Sequence, residues 1–208
     1  MLALSRYIAT PRVAKHRLFA WQHKAVLPDS RLYAIVRDDD TTFGVLHSRI
    51  HEAWSLVTCS WHGDGDEGGR PTYNAASCFE TFPFPEGLTP NLPASAYAGD
   101  PRAQRIADAA RALVEARDRW LNPPEWTDRI PEVVPGYPDR IVAKPGFEAG
   151  LKKRTLTNLY NARPAWLDHL HRDLDTAVAT AYGWQWPLTD DEILKSLFEL
   201  NQTRTAKA

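Results

Sequence analysis

The sequence predicts an α+β fold: a small mixed β-sheet packed with a helix, followed by a mostly helical C-terminal segment. Segments rich in β-branched and aromatic residues lie near the start of the chain. Apolar residues at three- and four-residue spacing prevail near its end. Prolines are concentrated between the two patterns and separate them. We therefore divide the chain into residues 1–90, 91–150 and 151–208: a sheet domain, a helix with a proline-rich connector, and a helical segment.

The sheet domain is predicted to begin with three strands, Tyr7–Thr10, Leu18–Gln22 and Leu32–Val36. Turn-forming residues such as Pro11 and Pro28 separate them. Strand character returns later in the domain, at Thr72–Tyr73 and Cys78–Phe82. The glycine- and acid-rich segment GDGDEGG, residues 63–69, precedes these later strands and predicts a mobile loop.

One helix is predicted inside the sheet domain, after the acidic triplet at residues 38–40, with Asp40 as its N-cap. Its apolar stripe would consist of Phe43, Leu46, Ile50, Ala53, Trp54 and Val57. Its polar residues fall on another face, which we expect to point outward: Ser48, Arg49, Glu52 and Ser55. Arg49 has two interpretations, a base-reading side chain or an ion-pair partner of Glu52 on the helix surface.

The second half of the chain carries clearer signals of helix ends. Asp100 followed by Pro101 predicts the start of a helix that runs through Leu121. Residues 122–150 contain six prolines and predict an extended, loop-rich crossing. A further helix is predicted to end at Gly183, and the sequence Thr189–Glu192 predicts a capping box at the start of the last one.

Composition restricts the class of protein. The 208 residues suffice for a sizeable core, and no apolar run of about 18 residues predicts a membrane span. Two cysteines form no disulfide framework, which is typical of the cytoplasm. The net charge is −1, yet residues 1–37 hold seven Lys or Arg residues against one acid, Asp29. Such a local excess is typical of a surface that faces phosphates, although a solvated basic face would look the same.

Three catalytic or metal-binding patterns are incomplete. Residues 122–126, NPPEW, are similar to the loop of adenine-N6 methyltransferases, but Glu125 stands where an aromatic ring would stack on the flipped base. A proline-stiffened turn is the better interpretation. A candidate metal site consists of His47, His51, Cys59, His62 and Cys78, and His47 and His51 have a spacing that zinc ligands use. However, the sequence has no Cys-x2-Cys pair and no Glu between the two histidines. The acids at 38–40 lack the acid-x-Lys triplet of a magnesium nuclease and favour a strand-to-helix turn.

Three long segments resemble one family in their order along the chain. YIATPRVAKHR at residues 7–17, FGVLHSRIHEAW at 43–54 and TYNAASCFETFPFP at 72–85 are similar to the target-recognition domain of MmeI-like DNA adenine methyltransferases, the type IIL restriction-modification enzymes. Residues 100–203 resemble the family more loosely, and the stretch at 156–201 is similar to its closing helical segment. The sequence departs from the family pattern at Asn74–Ser77, where many relatives have a Thr/Pro-rich run, so the bases contacted there are left open.

The resemblance implies a DNA sequence-recognition role for residues 1–90. In the parent enzymes, S-adenosylmethionine supplies the methyl group for adenine N6 in a catalytic domain that precedes this region. We therefore expect no cofactor site and no methyl transfer in this chain alone. The expected partners are double-stranded DNA and, if the catalytic part is encoded separately, a methyltransferase chain. The expected DNA-contacting residues are Arg6, Thr10, Arg12, Lys15, His16, Arg17, His47, Ser48, Arg49, Arg70, Thr72 and Asn74.

A protein-interaction or inhibitor module is the alternative function. The chain contains eight tryptophans and 16 prolines, which could form an aromatic surface for another protein. Salt would separate the two functions, because phosphate contacts by Lys and Arg weaken steeply with ionic strength and an aromatic interface does not.

Overall fold

A computed structural model of the chain describes residues 4–63 and 69–206, and it has the predicted α+β fold. The N-terminal sheet has the order β2-β1-β3 and is antiparallel throughout. Its strands are β1 (Arg6–Pro11), β2 (Ala20–His23) and β3 (Leu32–Ile35), so the three predicted strands are confirmed to within two residues at each end. Ile8 on the central strand is fully buried opposite Trp21 and Ile35, and this face of the sheet covers the core.

Two helices follow the sheet where the sequence predicted one. They are α1 (Asp40–His47) and α2 (Arg49–Thr58), and they are separated by Ser48, whose ψ of 158° is extended. Ser48 caps α2 by accepting a hydrogen bond from the His51 amide, while a distant carboxyl, Asp175, accepts one from the Arg49 amide at 2.7 Å. A helix N-terminus needs such acceptors for its free amides, and here they stabilise the break.

The predicted stripe is confirmed except at its C-terminal end, and Ala53 is buried with the rest of it. Phe43, Leu46, Ile50 and Trp54 are buried, whereas Val57 is 53% exposed because the helix ends at the next residue. The N-cap of α1 is Asp39 rather than Asp40, since the Asp39 carboxylate accepts the Thr42 amide at 2.8 Å.

A second antiparallel pair, β4 (Ser60–His62) and β5 (Arg70–Thr72), forms a hairpin after α2. The predicted mobile loop at 63–69 lies for the most part outside the described residues. The predicted strand at Cys78–Phe82 is wrong, because Ala75–Phe79 forms a π-helical turn closed by the hydrogen bond from the Glu80 amide to the Ala75 carbonyl. This turn buries Cys78, and Phe82 beyond it is buried as well.

Helix α3 (Pro101–Leu121) begins as predicted, with the Asp100 carboxylate accepting the Arg102 amide at 2.8 Å. It packs closely against α1 at Gly44. A Cβ atom added there would lie 2.5 Å from Cγ2 of Ile106, so only glycine permits this approach.

The remaining elements complete the helical half. The proline-rich crossing contains a hairpin that the sequence did not predict, β6 (Thr127–Ile130) with β7 (Arg140–Ala143). Four helices follow: α4 (Glu148–Lys152), α5 (Leu156–Ala162), α6 (Ala165–Tyr182) and α7 (Asp190–Thr205). Gly183 ends α6 with a φ of 78°, and Thr189 with Glu192 forms the predicted capping box of α7. A single core cluster includes residues from Ile8 to Leu197.

Candidate nucleic-acid interface

The β4–β5 hairpin presents a polar face to solvent. Its register pairs Ser60 with Thr72 and His62 with Arg70, and places Trp61 opposite Pro71 between these pairs. Because side chains alternate between the two faces of a strand, Ser60, His62, Arg70 and Thr72 share one face. We call these four residues the hairpin face. All three residues of β4 and Arg70 are exposed, so the hairpin face offers hydroxyl, imidazole and guanidinium groups to a ligand.

The chain after β1 joins the edge of this hairpin. Val13 forms a bridge with Thr72, and the Tyr73 amide donates to the Arg12 carbonyl at 2.7 Å. Arg12 and Lys15 are exposed on this connecting segment. The Arg12 guanidinium lies 5.2 Å from the centre of the Tyr33 ring and donates to the Ser30 carbonyl at 3.1 Å. Residues 12 and 13 thus join the edge of the hairpin, and Lys15 follows two residues later in the chain.

A groove lies next to this edge, over the outer face of the N-terminal sheet. Its volume is 220 Å³, and its floor consists of small or short side chains, including Ala9 and Ala20. Lys15 and His16 line it on the side of the connecting segment, and α5 contributes Leu156. The groove is open to solvent and adds concave surface beside the exposed cations.

Five of the twelve predicted contact residues therefore lie on or beside the hairpin. They are Arg12, Lys15, Arg70, Thr72 and Asn74, whose side-chain amide donates to the Ser60 hydroxyl at 3.0 Å. Among the described residues, no carboxylate forms an ion pair with Arg12, Lys15 or Arg70. These cations remain available to an external anion.

Thr10 and Arg17 are buried instead of facing solvent. This corrects the prediction that they contact phosphates, because neither side chain lies at the surface. Arg17 is 6% exposed and donates to the Thr10 hydroxyl at 3.0 Å, to the Pro71 carbonyl at 3.2 Å and to the Pro11 carbonyl. Its guanidinium lies 4.9 Å from the centre of the Tyr73 ring. Arg17 therefore holds the end of β1 against β5 from inside.

His47 and Ser48 are also buried, which corrects the prediction that they point outward. His47 accepts the Phe19 amide at Nδ1 and lies 3.1 Å from the Tyr160 hydroxyl at Nε2. Burial lowers its pKa well below the ordinary value, with Arg117 adding to the effect, so the ring is neutral. The Ser48 hydroxyl caps α2 and also donates a hydrogen bond to the Val45 carbonyl at 2.7 Å, so both its donor and its acceptor are used inside the protein.

The three remaining predicted residues have partners within the chain. Arg6 forms an ion pair with Asp40 at 2.8 Å and stacks on Trp21, and His16 lies 2.9 Å from the Asn161 side chain. Arg49 pairs with Glu52 at 2.7 Å and with Asp190. Burial acts to lower the Arg49 pKa, but the bonds to both carboxylates outweigh it and the pKa is raised. This geometry favours the ion-pair interpretation of Arg49.

The sequence pattern missed Ser60, Trp61 and His62 as candidate contact residues. They were missed because a three-residue strand beside a glycine-rich loop carries too little periodicity to assign a face. Of these residues the sequence singled out only His62, as a candidate metal ligand. Residues 4–63 and 69–206 contain no group of three or more His, Cys, Asp or Glu side chains arranged to hold a metal ion. Nor does a helix in these ranges have the length and hydrophobicity needed to cross a membrane.

The NPPEW segment forms the predicted turn, between α3 and β6. Its geometry does not fit a methyl-transfer site. The Pro123 carbonyl already accepts the Trp126 amide at 2.9 Å and the Thr127 hydroxyl at 2.8 Å, and Pro123 is buried. A target amine would need a free acceptor and an adjacent aromatic ring, and Glu125 is exposed to solvent in the ring's place.

Neither a family model nor a curated protein sequence matches the chain. Among solved structures, the chain is similar to the type IIL restriction-modification enzyme MmeI in complex with DNA, with a TM-score of 0.65 and 21% sequence identity. The match covers 97% of this chain and 22% of the MmeI chain. The two folds are related. At this identity the similarity concerns the fold, and the chain spans about a fifth of the length of MmeI.

Proposed function

We propose that this chain is the DNA sequence-recognition part of a type IIL-like, site-specific adenine methyltransferase. The observation that carries the proposal is the hairpin face beside Arg12 and Lys15, because it combines groups that read bases with groups that hold phosphates. The related fold of MmeI, determined in complex with DNA, supports the same class of ligand.

The geometry suits readout of duplex DNA through the major groove. That groove is wide enough to admit a two-stranded β-ribbon, and the β4–β5 pair is such a ribbon with one polar face. Arg70 would bind a guanine edge or a phosphate. The hydroxyl groups of Ser60 and Thr72 could each donate a hydrogen bond to a base or accept one from it. Arg12 and Lys15 at the edge would hold the backbone and fix the register of the ribbon.

Methyl transfer belongs, in this proposal, to a separate catalytic part. S-adenosylmethionine would bind there and supply the methyl group. The residues of this chain would keep the duplex in register while the target adenine is flipped out of the stack. Purified chain incubated with labelled S-adenosylmethionine and mixed DNA should incorporate no label above a boiled control.

The direct test is a binding-site selection from random duplexes, followed by fluorescence anisotropy on the selected site. Lys15→Ala should weaken binding to all duplexes alike and lower the slope of log K against log salt by about one unit. Arg70→Ala should cost about 1–3 kcal/mol on the selected site and relax the preference at one position, if Arg70 reads a base.

Arg105→Ala is the matched control, since it removes the same charge from an exposed position on α3. It should leave affinity and preference unchanged. The proposal fails if wild-type chain binds no duplex at low salt, or if the three variants reduce affinity equally.

A protein-interaction module remains the second candidate because of one observation. An apolar groove of 500 Å³ lies between α3 and α6 and is lined by Trp120, Trp166, Ala116 and Leu170, with Arg119 and His169 at its rim. A protein ligand seated there would be retained at high salt, whereas a duplex on the hairpin face would be released.

A further inference from the structure

A small polar cavity lies beneath the connecting segment, apart from the hairpin face. Its volume is 120 Å³, and its lining includes His16 of that segment and Arg163 in the turn from α5 to α6. Arg17, His47, Tyr160 and His171 also line it. None of the functions proposed above uses this cavity.

Two buried guanidinium groups at or behind the cavity form no ion pair with a carboxylate in the described parts of the chain. Arg17 lines the cavity, and Arg117 lies behind the lining residues His47 and Tyr160. Arg17 is 6% exposed and Arg117 is 3% exposed. Arg117 donates to the Phe19 carbonyl at 3.1 Å and to the Tyr160 hydroxyl at 3.3 Å, and its Nε has no hydrogen-bond partner. Buried charges in proteins are normally paired, so these two cations favour the binding of an anion close to them.

The contact between Arg117 and His47 points the same way. Nη1 of Arg117 lies 2.7 Å from Nε2 of His47, while Nδ1 of the same ring lies 3.1 Å from the Phe19 amide. A neutral imidazole has a single acceptor nitrogen, so in either tautomer one donor faces another donor. The cluster around Tyr160 therefore has more donors than acceptors.

The two carboxylates that line the cavity are both engaged by Arg49. Glu52 pairs with Arg49 at 2.7 Å, and Asp175 accepts the Arg49 amide at 2.7 Å. Burial raises the pKa of Asp175 to about 7, so a large fraction of this group is protonated near neutral pH. Burial also lowers the pKa of His171 to about 3, which leaves that ring neutral.

The mouth of the cavity carries an unusual backbone. Arg163 is the one described non-glycine residue with positive φ, at 38°, and its side chain is half exposed while it pairs with Asp168 at 3.1 Å. A left-handed conformation is unfavourable for a residue with a Cβ, and such residues cluster at ligand sites. Arg163 ends α5 in this conformation, and its side chain lines the cavity.

We propose that this cavity binds a phosphate-type oxyanion, held by the lining residues Arg163, Arg17 and Tyr160, with the buried charge of Arg117 behind Tyr160 adding to the attraction. The volume supports this size of ligand, because one water molecule takes about 30 Å³ in the liquid and a five-atom oxyanion needs a few times that. A nucleoside or a larger metabolite would need a pocket of about 300 Å³ or more. The anion has two sources, free phosphate and a phosphate of the DNA backbone.

The test is a titration of the full chain with inorganic phosphate at constant ionic strength, followed by calorimetry and by the imidazole signals of ¹⁵N-labelled protein. The signals of His16 and His171 should shift with saturation, and those of His23 and His169, which do not line the cavity, should not. Arg163→Gln should weaken phosphate binding about tenfold, the loss expected for one charge-assisted hydrogen bond. Arg172→Gln, an equal charge change on α6 at another partner of Asp168, should have no effect.

Competition with a short duplex identifies the source. If the duplex displaces inorganic phosphate, a backbone phosphate occupies the cavity; if both bind together, the ligand is the free anion. The inference is overturned if phosphate produces no saturable shift of His16 and His171 in wild-type protein, or if Arg163→Gln and Arg172→Gln bind it equally. Neither result affects the proposal for the hairpin face, which is tested separately with Lys15→Ala and Arg70→Ala.

Discussion

Arg12 and Arg17 belong to the same basic segment, five positions apart, yet they have opposite environments. Arg12 is exposed, and Arg17 is 6% exposed. Both stack on a tyrosine, Tyr33 and Tyr73 respectively, at 5.2 and 4.9 Å from the ring centre. The difference is in their hydrogen bonds, because Arg17 ties β1 to β5 whereas Arg12 bonds a single carbonyl in the loop before β3.

This contrast teaches that a local excess of cations does not identify a ligand-facing surface. The segment that follows Pro11 bends beside the hairpin. Side chains a few residues apart on this segment therefore point either to solvent or into the interior. A charge cluster read from sequence therefore mixes contact residues with internal ones. The variants below separate the two kinds, beginning with the largest expected effect.

Replacing the buried cation should damage stability most. Arg17→Met leaves the carbonyls of Pro11 and Pro71 without their donor, and should lower the free energy of unfolding by about 3 kcal/mol, since each unsatisfied buried group costs about 1–3 kcal/mol. Urea unfolding followed by circular dichroism measures the change. An unchanged midpoint would show that Arg17 is not the internal tie between β1 and β5.

Asp175→Asn should alter the dependence of stability on pH. The folded-state pKa of Asp175 is raised from 3.8 to about 7 by burial. Its contribution is therefore fully present below pH 3.8 and is lost as the pH rises through 7. The stability of Asp175→Asn relative to wild type should rise over this window, by up to roughly 1.4 kcal/mol per pH unit.

The measurement is urea unfolding of both proteins at intervals between pH 4 and pH 8. Taking the difference cancels the titration of buried histidines such as His51, whose pKa is lowered by burial to about 4 and whose contribution is lost as the pH falls. A constant difference across the window would contradict the raised pKa.

The cap of α7 should have a smaller, local effect. Thr189 accepts the Glu192 amide, and Glu192 accepts the Thr189 amide at 2.8 Å. Thr189→Ala should lower the free energy of unfolding by about 1 kcal/mol, the usual loss for an N-cap. Thermal melting detects this change, with Thr203→Ala, at an exposed position inside the helix, as the control.

Arg12→Met should have the smallest effect on stability, about 0.5 kcal/mol, which is typical of an exposed cation–π contact. Its effect should appear instead in duplex binding, which weakens with a reduced salt slope as for Lys15→Ala. If Arg12→Met destabilises the fold as much as Arg17→Met does, the distinction between exposed and internal cations is wrong.

Sequence alone determined the elements whose signals are local. The three N-terminal strands, the start of α3 at Asp100 and Pro101, the end of α6 at Gly183 and the capping box of α7 all follow from residues within one or two turns of each other. Hydrogen bonds at helix ends join neighbours in sequence, so their residue types suffice to predict them.

Only the tertiary structure decided which polar residues face solvent. The break at Ser48 depends on Asp175, which is 126 positions from the Arg49 amide that it accepts, and buried His47 has a partner, Tyr160, from 113 positions away. Arg17 is internal because the Pro71 carbonyl comes to it from 54 positions away. Such partners come together only when distant elements pack, and residue spacing carries no record of that packing.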